Sequence, residues 1–242
     1  MTRVSNYQDL LKIIALICMI IDHIGLYFFP ETWMLRAIGR YAFPIFCFFA
    51  GFNFKNSLRV KTLIYGVALY LFTTTLIFQE LIEANILISI FIGYVYLSIF
   101  QSRLVLSNLG FWQAYTHFIV LACCFPLTEQ FFEYGTLAIA MMVLGYSVKN
   151  NLIPIRIATF TAAYTSSLYT IIIYFDDFKA PEFIVAAIVT VAIYFSLTFK
   201  NFHRVNNLRL TIISNNLLSI YCIHLIIIMV VWRYSIIGLF LA

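Results

Sequence analysis

The chain has 242 residues, 63% of them hydrophobic and only 10% charged, and it carries a net charge of +5 at neutral pH. With a positive mean hydropathy, this leaves too little polar surface to cover a soluble globule, so a water-soluble fold is excluded. The basic excess gathers in no tail and no aromatic-basic stripe, which excludes nucleic acid as an expected partner.

Nine apolar stretches can be weighed as spans of a hydrocarbon core about 30 Å thick; they lie at 10–29, 34–54, 62–79, 84–100, 109–127, 131–148, 155–175, 182–199 and 210–232. The expected fold is all-α, a polytopic transmembrane helical bundle of about nine spans. It forms one domain over 1–242, because no repeat, Gly/Ser linker or low-complexity tract divides the chain. The fourth and sixth stretches carry the weakest signals. The sixth is short and opens with Glu133, which leaves a re-entrant or half-buried helix open there. The first stretch has full span length and no small-residue cleavage site after it, so it is expected to remain as a helix rather than leave as a signal peptide.

The connections sort by charge. Alternate loops hold Lys55, Arg59 and Lys61, then Arg103, then Lys149 and Arg156, then Lys200, Arg204 and Arg209, in phase with Arg3 and Lys12. The intervening loops hold Glu31, then Glu80 and Glu83, then Glu129 and Glu133, then Asp176, Asp177 and Glu182, with Lys179 the only base. The positive-inside rule then expects a cytoplasmic amino terminus and an external carboxyl terminus.

Against this apolar background the first stretch, LLKIIALICMIIDHIGLYFF, carries Asp22 and His23. Ionisable groups inside a membrane are costly and mark function by default. Neighbouring helical positions project about 100° apart, so the two do not form a simple dyad. The expected division makes His23 a general base, since imidazole titrates near neutrality, and Asp22 the neutralising partner of an arginine.

Arg36 and Arg40 follow at the outer end of the second stretch, four positions apart and so on one face. Two planar forks there can hold a phosphate, a carboxylate or a polarised carbonyl, or can simply pair with Asp22 and Glu31. Arg40 lies a turn deeper, before Pro44.

In the ninth stretch His224 stands with Asn215, Asn216, Ser219 and Tyr221, a polar line that a lipid-facing helix avoids, although such residues also serve as interhelical glue. Glu133 joins the same outer layer. His117, amid Trp112, Thr116 and Phe118, reads as a packing histidine with one hydrogen bond, and His203 as a solvated loop residue. The five cysteines, Cys18, Cys47, Cys123, Cys124 and Cys222, fall within spans without metal-ligand spacing and read as small hydrophobes. No metal is expected.

Lys12 precedes His23 by eleven positions, a helical rise of about 16 Å from the cytoplasmic boundary into the membrane. That rise is comparable with an extended pantetheine arm. Lys12 and the basic inner loops are therefore candidates for the phosphates of coenzyme A, with the thioester near His23. Spacing alone equally allows Lys12 to mark no more than the inner end of the helix.

The stretch LKIIALICMIIDHIGLYFFP, followed closely by LRAIGRYAFPIFCFFAGF, resembles the opening of the TraX family, membrane proteins associated with acetylation of F-type conjugative pilin. NILISIFIGY at 85–94, EYG at 133–135 and YCIHL at 221–225 extend the resemblance over nearly the whole chain and add Asn85 to the candidate binding residues. The opening is also similar, more distantly, to transmembrane acyltransferases, in which a basic residue, ten intervening residues and a histidine mark the first helix. Lys12 and His23 fit that pattern with Lys where Arg is common, while Arg36, Arg40 and Pro44 fit only loosely a second pattern of that group, arginines before a proline in a following helix.

The resemblance implies a single integral-membrane acyltransferase-like domain that moves an acetyl group from acetyl-CoA to an amine or hydroxyl acceptor. The acceptor is a pilin-like peptide in the family's named case, and otherwise a glycan or a lipid headgroup. On that implication His23 is the base, with Asp22, Arg40 and His224 completing the catalytic set. Lys12, Arg36, Glu133, Tyr221 and Asn85 serve binding. Direct attack on the thioester and a covalent acetyl-histidine both remain open. Buried Asp, His, Arg and Glu also suit a proton-coupled transporter or flippase, or a non-catalytic assembly factor whose polar groups bind a partner helix. Against the transporter stands the lack of paired halves with corresponding broken helices.

Overall fold

In lipid every backbone amide must be satisfied within the protein, and a long apolar segment meets that demand locally by forming helix. A computed structural model of the chain describes residues 7–78, 83–107, 110–173, 180–198 and 208–241. Over these the secondary structure is helical, apart from one isolated bridge between Ala84 and Phe132.

The helices in chain order are α1 (Tyr7–Phe28), α2 (Trp33–Gly39), α3 (Ala42–Phe52), α4 (Val60–Phe72) running into a π-helical turn at Thr73–Phe78, and α5 (Ile86–Ser107). Then come α6 (Phe111–Cys123), α7 (Phe125–Thr128), α8 (Gly135–Lys149), α9 (Ile155–Ile173), α10 (Ala180–Thr198), α11 (Leu208–Asn215) and α12 (Leu217–Leu241). Each apolar stretch read from the sequence holds helix. Among the described residues four helical segments are long and apolar enough to cross a membrane, Tyr7–Phe28, Trp33–Phe52, Val60–Phe78 and Leu217–Ser235, against the nine spans expected. Ile86–Ser102, Gly135–Lys149 and Ala187–Leu197 are apolar but shorter. Large apolar side chains such as Ile17, Ile64, Trp112, Phe160 and Ile227 stand exposed, as a lipid-facing exterior requires.

Three of the expected single helices are interrupted for identifiable reasons. Between α2 and α3 the missing N–H and the ring of Pro44 deny the Arg40 carbonyl its helical partner; Arg40 N–H still makes the ordinary helical bond to the Arg36 carbonyl at 3.1 Å, and the turn tightens at Tyr41, whose N–H reaches the Ile38 carbonyl at 3.3 Å. After α4 the hydroxyls of Thr73 and Thr74 donate to the Tyr70 carbonyl, and Thr75 to the Leu71 carbonyl, back-bonding that bends a helix and accompanies the π turn. Between α11 and α12 the Asn216 side-chain amide donates to the Ile212 carbonyl at 2.9 Å, in competition with the helical ladder.

The chain forms two compact units: one of Met1–Ile45 with Thr159–Ala242, the other of Phe46–Ala158. Within the first, α1 packs against α2, α11 and α12, and α2 against α10. At the start of α1 the fully buried Asp9 accepts a 2.6 Å hydrogen bond from the Ser214 hydroxyl of α11.

Within the second unit α8 packs against α5, α6 and α7, and α4 packs against α5. The sixth stretch, open to a half-buried reading, is thus a 15-residue helix buried from Leu137 to Ser147. Its length of about 22 Å falls short of the hydrocarbon core. Close approach depends on glycine. A Cβ at Gly51 would fall on the Met142 carbonyl and one at Gly145 on the Phe48 carbonyl, so small residues let the α3 and α8 backbones touch.

Candidate functional site

Asp22 and His23 are both buried in α1, at 6% and 8% exposure. Their angular separation on the helix sends them to different partners. His23 meets α12: its Nδ1 lies 3.0 Å from Nε2 of His224. His224 in turn places Nδ1 3.1 Å from the carbonyl oxygen of Ile220, one turn back on its own helix. The Tyr221 ring packs near both imidazoles, with centroids 6.4 Å from His23 and 5.6 Å from His224.

Asp22 meets α2. Its Oδ2 pairs with Arg36 Nη1 at 2.8 Å, and the same Nη1 donates to the Asp22 backbone carbonyl at 3.2 Å. In LRAIGR the spacing of Arg36, Gly39 and Arg40 puts all three on one face. Gly39 supplies the room, because a Cβ there would occupy the place of the Asp22 carboxylate. Arg40 is 8% exposed, and its guanidinium carbon lies 5.6 Å from the centre of the Tyr169 ring on α9, within the range of a cation–π contact. The charges of both arginines act on Asp22 and on His23.

The imidazoles of His23 and His224, the guanidiniums of Arg36 and Arg40 and the carboxylate of Asp22 thus share the first unit. An imidazole pair can accept and return a proton, and guanidinium groups can stabilise a developing oxyanion. Among the described residues no group of three or more His, Cys, Asp or Glu side chains gathers into a metal site.

Comparison with known sequences adds the family. The family described as TraX protein matches residues 7–232, a range that takes in every residue of this cluster. The chain belongs to the TraX family. It is similar to the uncharacterized protein RP591 of Rickettsia prowazekii (strain Madrid E), with 35% identity over 237 residues, 96% of this chain and 94% of that protein. No solved structure gives a significant match.

The remaining candidates of this TraX-family chain lie apart from the imidazole pair or in the other unit. Lys12 is half-buried on α1. Eleven residues amount to just over three turns, so it stands on nearly the same face as His23, about 16 Å away along the axis. Glu133 and Asn85 both belong to the second unit. Glu133 accepts from the Ile86 N–H at 3.0 Å with its Oε2 and from the Ser89 hydroxyl at 3.1 Å with its carbonyl, which places a carboxylate at the N-terminus of α5. Asn85 donates to the Gly66 carbonyl at 2.8 Å and accepts from the Leu87 N–H at 3.1 Å, capping α5 while tying it to α4. His117 packs against Phe100 and takes a 2.6 Å hydrogen bond with the Tyr96 hydroxyl. His203 lies outside the described residues.

Tyr169, Gly39 and the Ile220 carbonyl support the cluster and were not singled out in the sequence. Gly39 had a local signal, its position between the two arginines on their shared face. Tyr169 had none, because its partner is 129 positions away in the chain.

Proposed function

We propose that this TraX-family protein transfers an acetyl group from acetyl-CoA to an amine or hydroxyl acceptor within a bacterial cytoplasmic membrane, which it crosses about nine times from a cytoplasmic amino terminus. The observation that carries this reading is the pair formed by buried His23 and half-buried His224, in the same unit as Asp22, Arg36 and Arg40. The cost of placing such groups among apolar helices argues for chemistry rather than packing. The alternation of basic and acidic connections supports the orientation.

In this reading His23 removes the proton of the acceptor N–H or O–H as that atom attacks the thioester carbonyl. The arginine face of α2 stabilises the oxyanion, with Arg36 held by Asp22 and Arg40 set against Tyr169. As the new C–N or C–O bond is completed the C–S bond breaks, and the His23 imidazolium returns its proton to the departing thiolate of coenzyme A. Lys12, on the face of α1 that bears His23, is placed for the phosphates of the donor at the reach of an extended pantetheine arm. The acceptor is a pilin-like peptide, a glycan or a lipid headgroup.

The test is transfer of radiolabelled acetyl from acetyl-CoA in inverted membrane vesicles, with a His23→Ala control. Label on a peptide, glycan or lipid that depends on His23 supports the reading and exposes the acceptor class. Full transfer by His23→Ala removes His23 as the base. A flux that needs a proton gradient and no acyl donor replaces the enzyme with a transporter.

A further inference from the structure

We infer that His224 is a positioning residue which, through the backbone carbonyl of Ile220, fixes His23 with its proton on Nδ1 and leaves Nε2 as the atom that accepts the substrate proton. This rests on the reading of His23 as the base and adds which nitrogen works and what holds it. A neutral imidazole has one N–H and one lone pair, and the hydrogen bond made by one nitrogen decides the state of the other.

The chain of assignments starts at a group that cannot titrate. The Ile220 carbonyl can only accept, so His224 Nδ1, 3.1 Å away, carries a hydrogen. In the neutral ring His224 Nε2 is then a lone pair. It lies 3.0 Å from His23 Nδ1, a distance that two facing lone pairs do not adopt and a hydrogen bond does. His23 Nδ1 therefore carries the hydrogen and donates it to His224. By exclusion the lone pair of His23 is on Nε2, which carries no hydrogen bond among the described residues.

The usual orienting partner of a histidine base is a carboxylate, and here the adjacent Asp22 is engaged by Arg36 instead. A second imidazole does the same work without adding a negative charge beside the base. When His23 takes a proton on Nε2, both of its nitrogens become donors, and the Nδ1–H to His224 Nε2 bond becomes charge-assisted and shorter. The arrangement thus holds the base in one orientation before transfer and steadies the imidazolium after it. Its polarity comes from the helical backbone at Ile220, which side-chain substitution elsewhere does not reverse.

The experiment is nitrogen-15 NMR of the full-length protein labelled at histidine in lipid bilayers, with His23 assigned by its loss in His23→Phe, alongside the vesicle transfer assay. The wild type is expected to show His23 protonated at Nδ1 and bare at Nε2. His224→Gln, whose amide oxygen reaches about where Nε2 stood, should keep that state. His224→Leu should give a mixture of tautomers and lower kcat about tenfold, the effect of one lost hydrogen bond. KM for acetyl-CoA should hold within roughly twofold, because the change acts on the proton-transferring group rather than on donor binding. A purely structural role would lower activity in both variants in step with the amount folded and would leave the tautomer unmoved.

A wild-type His23 with its proton on Nε2, or an unchanged tautomer in His224→Leu, overturns the inference. If His224→Leu does not fold, the wild-type and His224→Gln spectra still decide. An Nδ1–H state at His23 in a protein that transfers no acetyl group refutes the acetyl-transfer reading alone and upholds the orientation.

Discussion

The ion pair between Asp22 and Arg36 is the sharpest place to perturb the cluster, because both side chains are nearly out of solvent, at 9% and 16% exposure. Two unit charges 2.8 Å apart interact by about 6 kcal/mol at an effective dielectric of about 20. The loss of hydration by both groups offsets much of that. Removing one partner is a different matter, since it leaves a buried charge uncompensated, and such losses run to about 3–5 kcal/mol.

Arg36→Met strands the Asp22 carboxylate, whose Oδ1 already lies buried without a hydrogen-bond partner among the described residues. With Arg40 still acting on it, the cost is expected near the lower limit, about 3 kcal/mol. Asp22→Asn is milder, about 2 kcal/mol, because Arg36 keeps its hydrogen bond to the backbone carbonyl of position 22. The double variant removes both charges and should be more stable than Arg36→Met alone, giving a coupling of about 2–3 kcal/mol. The assay is equilibrium unfolding in mixed detergent micelles of rising denaturing-detergent fraction, with all four proteins measured together. Additive losses, with a coupling below about 0.5 kcal/mol, would refute the claim that these residues form a buried, mutually dependent pair.

Gly39→Ala should destabilise by about 1–3 kcal/mol in the same assay, because its Cβ falls on the Asp22 carboxylate, whereas Gly110→Ala, whose Cβ meets only the Gln113 amide oxygen at 3.6 Å, should be tolerated. Equal losses at the two glycines would remove the steric account. Glu133→Gln should cost about 1 kcal/mol by weakening the charge at the α5 N-terminus, and Glu133→Ala about 2 kcal/mol by stranding the Ile86 N–H; a variant of unchanged stability would show that the cap contributes nothing. In the vesicle assay His23→Ala should abolish acetyl transfer while the protein remains folded by circular dichroism, and residual transfer at the wild-type rate would exclude the histidine from the chemistry.

Composition and hydropathy pointed to a membrane protein before any coordinates, because a chain with so few charges cannot cover a water-soluble surface, and the long apolar helices agree with that reading. The opening motif was equally legible. Asp22, His23, Arg36 and Arg40 stand out because each is out of place, and the 100° step along α1 already separated Asp22 from His23. The sequence also held the family, through patterns that cover residues 7–232.

Tertiary structure alone decided the partners. Nothing local links His23 to a residue 201 positions later, or Arg40 to Tyr169. Glu133 and Asn85, both expected as binding residues, each make a capping hydrogen bond at the start of α5 that the sequence did not announce. Where the sequence offered unbroken helices, the structure breaks them at Arg40 and Tyr41, just ahead of Pro44, and at Asn216, because a missing donor or a competing side-chain amide outweighs apolar continuity over a single turn. The sequence determines which groups are costly to bury. Only packing determines which of them meet, because meeting depends on the crossing of helices far apart in the chain.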